Sequence, residues 1–189
     1  MSILCLTVAL DGVEPRVTRT LMVPSDLRLD RLHLTLQAAM GWENRHLYAF
    51  AAGSLRWSLP DPDLGLDALP ATKASLQDAL EAAGATPLRY TYDFGDDWSH
   101  RITAAPSDGP LPGQLYPRLI EAQGRCPPED VGGLLGYEHF LDALSDPSHP
   151  DHEDLLEWHG GPFDPAVTPT DELQLDVLRL AKRWTPRRS

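Results

Sequence analysis

The residues whose types could do chemistry fall in two short stretches. The first is Tyr92-Asp93-Phe94-Gly95-Asp96-Asp97-Trp98-Ser99-His100, which carries three aspartates and a histidine. The second is Cys126-Pro127-Pro128-Glu129-Asp130-Val131-Gly132-Gly133. Imidazole and carboxylate groups suit zinc or manganese, so Asp93, Asp96, Asp97 and His100 read as one wall of a divalent-cation or polar-ligand pocket. Completing such a set needs His33, His46, Glu129 or Asp130 brought in from other segments. The plainer reading is structural. Asp96 and Asp97 accept backbone N–H groups in a tight turn, Gly95 supplies an unusual φ, and Tyr92 and Trp98 anchor the core. The double-proline loop then plugs a sheet edge. The spacing is not diagnostic, since the chain has no His-Glu-x-x-His or Cys-x-x-Cys.

Other chemistries are weaker. Asp93-Phe94-Gly95 matches the metal-binding tripeptide of protein kinases, but the Gly-rich loop, the strand lysine and the His-Arg-Asp loop are missing. Cys126 has no evident base beside it, and an acidic field raises a thiol pKa. His149, His152 and Glu153 read as the start of a surface helix. His33 lies one turn after Leu29 on an apolar helix face, which is more often a hydrogen-bonded core position than a ligand.

The elements that must position these groups follow from periodicity. Residues 3–10 and 17–23 alternate at period two around the turn signal Asp11-Gly12 and read as a hairpin. Ser25 or Asp26 is placed to cap a helix through Leu29, Leu32, Leu36 and Met40, ended by Gly41. Residues 46–51 read as a strand, and Leu55, Trp57 and Leu59 share one side of the next. Residues 61–70 read as a surface loop, and Thr72 or Ala74-Ser75 opens a short helix ended by Gly84. Residues 90–102 read as two strands joined by the acidic turn, with Trp98, His100 and Ile102 on one side. Residues 106–117 read as a flexible connector, 119–122 as a helical turn and 126–136 as a specific loop. Helices are expected over 137–144, 151–158 and 172–184.

Charge limits the partners. The 189 residues carry a formal net charge of -12, which repels a phosphate backbone. Residues 126–178 contain no Lys or Arg, whereas Arg179, Lys182, Arg183, Arg187 and Arg188 reverse the sign at the end. The acidic segment is either a solvated surface or a docking face for a basic protein or a divalent cation. No apolar run approaches the length of a membrane span, the first ten residues lack a signal-peptide pattern, and two cysteines make no disulfide framework. A cytoplasmic location is expected.

Five landmarks occur in order: Gln37-Ala38-Ala39-Met40-Gly41-Trp42, His46-Leu47-Tyr48-Ala49-Phe50, residues 92–100, residues 126–133, and Gly136-Tyr137. Over about residues 3–164 the chain closely resembles the plasmid pRiA4b ORF-3-like family, some of whose members are labelled insertion-element passenger TnpR proteins. The resemblance implies an α+β domain with a mostly antiparallel sheet, an association with mobile elements and no established activity. Many relatives carry a second cysteine where Val131 stands, so no Cys pair is available here for metal or redox chemistry.

These readings predict a single α+β domain over 1–165, with a mostly antiparallel sheet of five or six strands and packed helices. A C-terminal helix and basic tail over 166–189 strap it closed. The leading functional expectation is a non-catalytic interaction module with no cofactor and no direct contact to nucleic acid or membrane. The alternatives are a metal-dependent enzyme with a His/Asp/Glu pocket, and an accessory in DNA transactions that acts through a protein partner.

Overall fold

The structure, a computed structural model, describes residues 2–59 and 68–185. Alternation puts Leu4, Leu6, Val8 and Leu10 of β1 (Ile3–Leu10) and Arg19, Leu21 and Val23 of β2 (Thr18–Pro24) on the core side of an antiparallel pair, while Ile3 is buried on the opposite face. Helix α1 (Leu29–Met40) buries Leu29, Leu32, Leu36 and Met40, and Gly41 closes it at φ 86, where a side chain would be strained. Strands β3 (Tyr48–Ala52), β4 (Leu55–Ser58) and the two-residue β5 (Leu69–Pro70) follow, then α2 (Leu76–Ala83). A reciprocal Ser75–Asp78 capping box starts α2. Strands β6 (Leu88–Tyr92) and β7 (Trp98–Pro106) form the aromatic hairpin, and β8 (Arg118–Gln123) pairs with β2. Helices α3 (Gly133–Ser145), α4 (His152–His159) and α5 (Thr170–Trp184) complete the chain.

The strands form one open sheet in the order β5-β4-β3-β6-β7-β1-β2-β8, antiparallel except for β4 with β5. The sheet has eight strands, not five or six, within a single α+β domain. Two departures account for the difference. Residues 69–70 pair with β4 instead of finishing a loop; residues 61–67 of that expected loop lie outside the described residues. Residues 119–122, expected as a helical turn, lie in the edge strand β8, because an apolar run that short has no period of its own and pairing with β2 decides it. The opening hairpin joins the aromatic one through the pairing of β1 with β7.

Smaller corrections have local causes. Neither Ser25 nor Asp26 caps α1; its N-cap is Arg28, and Ser25 instead bonds Ser2 at 2.6 Å. Leu55 and Leu59 are exposed although Trp57 is buried, because β4 ends at Ser58. Phe94 is also exposed, since β6 stops at Tyr92 before its alternation reaches that residue.

Arg19 is 1% exposed, so its guanidinium sits inside the protein. Nε donates to the Ala39 carbonyl at 2.6 Å, Nη1 to the Thr18 and Gln123 carbonyls at 2.8 Å each, and Nη2 to Cys126 Sγ at 3.3 Å. A buried cation is tolerated only when its donors are satisfied, and carbonyl oxygens at the ends of α1 and β8 do most of that here. Helix α5 packs on α1 and β8, with Leu173 and Val177 in the common core.

Candidate functional site

Three segments distant in sequence meet beside the turn that ends α1. The first is the connection 43–47 into β3, which carries His46. The second is the turn 93–97 between β6 and β7. The third is the double-proline loop, which Trp42 holds by donating its indole N–H to the Pro127 carbonyl at 3.0 Å. The acidic turn seats directly on that loop. Asp96 Oδ2 accepts the Gly132 N–H at 3.1 Å, and a Cβ on Gly133 would stand 2.7 Å from the Asp96 carbonyl oxygen. Gly133 is therefore fixed by close approach as well as by its φ of 67.

Tyr92 couples the first and third segments. Its hydroxyl accepts the Arg45 N–H at 2.9 Å and donates to Glu129 at 3.0 and 3.2 Å. The Glu43 N–H donates to the same carboxylate at 2.7 Å. Burial, with the Glu129 carboxylate adding to it, holds the Tyr92 phenol well above its ordinary pKa, so it stays a donor.

His46 Nε2 then lies 3.0 Å from Asp130 Oδ1, 3.5 Å from Asp93 Oδ2 and 3.7 Å from Glu129 Oε2. Asp93 and Asp130 both take left-handed backbone, φ 55 and 60, a conformation Asp tolerates better than most residues and that re-aims each side chain. Of the eight residues singled out from sequence, the structure brings together His46, Asp93, Glu129 and Asp130.

The other four lie elsewhere. His33 is buried, stacked on Tyr48 at 3.6 Å, and bonded to Tyr90 OH at 2.9 Å and Asn44 Oδ1 at 2.6 Å. His100 is buried beneath Trp42, with Nδ1 3.2 Å from the Tyr90 carbonyl. Burial pushes both imidazoles down to about 4, so both are neutral core groups near pH 7. Asp96 ties the turn to the loop, and Asp97 is exposed. The turn chemistry also differs from expectation. Asp93 Oδ1, not Asp96 or Asp97, accepts the Gly95 and Asp96 N–H groups, and Asp93 and Asp97, not Gly95, carry the positive φ. Burial raises the Cys126 thiol to about 11 while Arg19 opposes it, so its inertness comes from the core and not from an acidic field.

A groove of about 570 Å³ runs from this cluster between the double-proline loop, α4 and the start of α5. Met40, Phe163, Leu173 and Trp158 give it apolar wall, Glu43, Asp130, Glu172 and Asp176 give it carboxylates, and Arg45 and Arg125 add two guanidinium groups, the first beside Glu43 and Asp130 and the second over the Phe163 ring. Trp158 is 49% exposed. Sequence reasoning missed Tyr92 as a coupling residue and Trp158 as a groove wall. The Gly41-Trp42 pair, an aromatic fixed just past a helix end, was the one local signal that something docks there.

Comparison with known proteins places this arrangement. A profile of the plasmid pRiA4b ORF-3-like proteins matches residues 2–172. The chain is 45% identical over 184 residues to the uncharacterized protein y4hQ of Sinorhizobium fredii, covering 97% of this chain and 94% of that one. It superimposes on the crystal structure of MM3350 from Methanosarcina mazei, described as a protein of unknown function, with a TM-score of 0.77 and 30% identity over 90% of this chain and 97% of that one. The chain belongs to the plasmid pRiA4b ORF-3-like family.

Proposed function

We propose that the protein is a non-catalytic binding module whose groove takes a basic, partly apolar peptide segment of a protein partner. The observation that carries this is the groove itself: a half-exposed tryptophan and apolar neighbours in a slot with carboxylates from three segments, of which Glu43 pairs with Arg45 and Asp176 with Arg179, while Glu172 has no ion-pair partner among the described residues. Exposed aromatic surface framed by acids fits Lys or Arg side chains, whose stems lie on the ring while their heads meet carboxylates. The protonation chemistry supports a binding role. His33 and His100 are packed and bonded in the core, and Cys126 is buried as a thiol. Two free cysteines, one buried and one half-buried, fit a cytoplasmic setting.

The test is fluorescence anisotropy with a labelled peptide of alternating Lys and Leu residues. Binding is expected, and Trp158→Ala or the pair Glu172→Gln with Asp176→Asn should weaken it about tenfold, or about 1.4 kcal/mol. Equal affinity for a Glu/Leu peptide, or unchanged affinity in both variants, would end this reading. A metal-dependent enzyme is the second reading, favoured by the convergence of His46 with three carboxylates.

A further inference from the structure

We infer that His46, Asp93 and Asp130, with Glu129 beside them, form a binding site for one divalent transition-metal ion. The site stands apart from the peptide reading, since it rests on the ligand geometry and not on the groove.

The first observation is an orphaned nitrogen. His46 Nε2 is closed off from solvent and has no hydrogen-bond partner among the described residues, although Asp130 Oδ1 is only 3.0 Å away. That oxygen is near enough but lies in the wrong direction for an N–H bond. Buried polar nitrogens are nearly always paired; His100 Nε2 is unpaired too, but of the two only the His46 nitrogen has carboxylate oxygens within 4.0 Å of it among the described residues.

The second is a matching oxygen. Asp93 is 8% exposed, and its Oδ1 is taken by the Gly95 and Asp96 N–H groups. Its Oδ2 has no hydrogen-bond donor among the described residues and faces His46 Nε2 at 3.5 Å. A carboxylate oxygen of a largely buried aspartate, facing an unpaired imidazole nitrogen, leaves room for a cation between them.

The third is spacing. The donor atoms of His46, Asp93 and Asp130 all lie within 4.8 Å of one another, at 3.0 and 3.5 Å from the imidazole nitrogen. Ligands bonded at about 2.1 Å to one ion stand about 3.0 to 3.4 Å apart along the edges of an octahedron or tetrahedron. The 3.0 Å pair is misdirected for a hydrogen bond and the 3.5 Å pair is long for one, while both separations suit two donors sharing an ion.

One imidazole with several carboxylates selects zinc or manganese over calcium or magnesium, which favour all-oxygen sets. The donors come from three chain segments held by Tyr92, Trp42 and the Gly133 contact, so the set is built by the fold and not by a flexible surface patch. Asp130 is half-exposed and also lines the groove, which leaves a coordination position open for an exchangeable ligand.

The test uses the full chain, stripped with chelator and titrated with manganese chloride or zinc chloride by calorimetry at neutral pH. One saturable ion per chain is expected. Pulsed electron paramagnetic resonance of the manganese form should show coupling to an imidazole nitrogen that His46→Ala removes. Asp130→Asn keeps a side chain tolerated at positive φ and should lower affinity at least about tenfold with the fold intact. No saturable binding below about 1 mM for either ion, affinity unchanged in both variants, or bound manganese without nitrogen coupling would each overturn the site. Loss of peptide binding with metal binding retained would instead remove only the groove reading.

Discussion

His33 and His100 set a pH limit on this fold. Both are neutral in the folded state with pKa values lowered to about 4, whereas in the unfolded chain they ionise near 6.5. The unfolded state therefore binds more protons as the pH falls. The stability is fully present above about pH 6.5 and is lost between there and about 4, by about 3 kcal/mol for each histidine. Urea denaturation at pH 7 and at pH 4.5 should show the loss. Imidazole resonances of His33 and His100 that titrate near 6.5 in the folded protein would contradict it. The same two residues show the limit of reading a site from one sequence. His33, His46 and His100 were equivalent by type, and their difference lies in neighbours from other elements. His33 stacks on Tyr48 and His100 lies under Trp42, while His46 faces Asp93 and Asp130. The four convergent residues were all named from sequence, but only long-range packing could separate them from the other four.

The element that carries the site is the seat of the acidic turn on the double-proline loop. Gly133→Ala would push a methyl group toward the Asp96 carbonyl at a backbone angle that disfavours side chains. A loss of about 1–3 kcal/mol is expected in denaturant unfolding, and it should exceed that of Gly84→Ala, which shares a positive φ but meets nothing within 4 Å. Equal losses in the two variants would mean that the turn and loop are not in contact. Elements with their own period were legible. The β1–β2 alternation, the apolar stripe of α1 with its Gly41 stop, and the Gly84 stop of α2 stand as the sequence dictates, and of the two starts offered for α2 the structure takes Ser75. Elements that depend on a partner were not. Strand β8 exists because β2 offers an edge, and α3 begins at Gly133, four residues early, because the loop before it is seated on Asp96.

At the scale of the whole molecule the net charge of -12 governs encounters. Duplex DNA should not be retarded at physiological salt in a gel mobility assay, because the net negative charge repels the phosphate backbone. A salt-sensitive complex at submicromolar protein would contradict this. No helix among the described residues is long and apolar enough to cross a membrane. The buried guanidinium of Arg19 bears on what such an acidic molecule can hold. One side chain from the sheet clasps the last turn of α1, the end of β8 and the thiol at the head of the double-proline loop, and the first and last of these line the slot. Prying them apart would strand a charge away from water, so the cleft is cast at folding and does not mould itself to a guest. The peptide proposed for the slot would meet a largely preformed shape and cost the protein little further ordering.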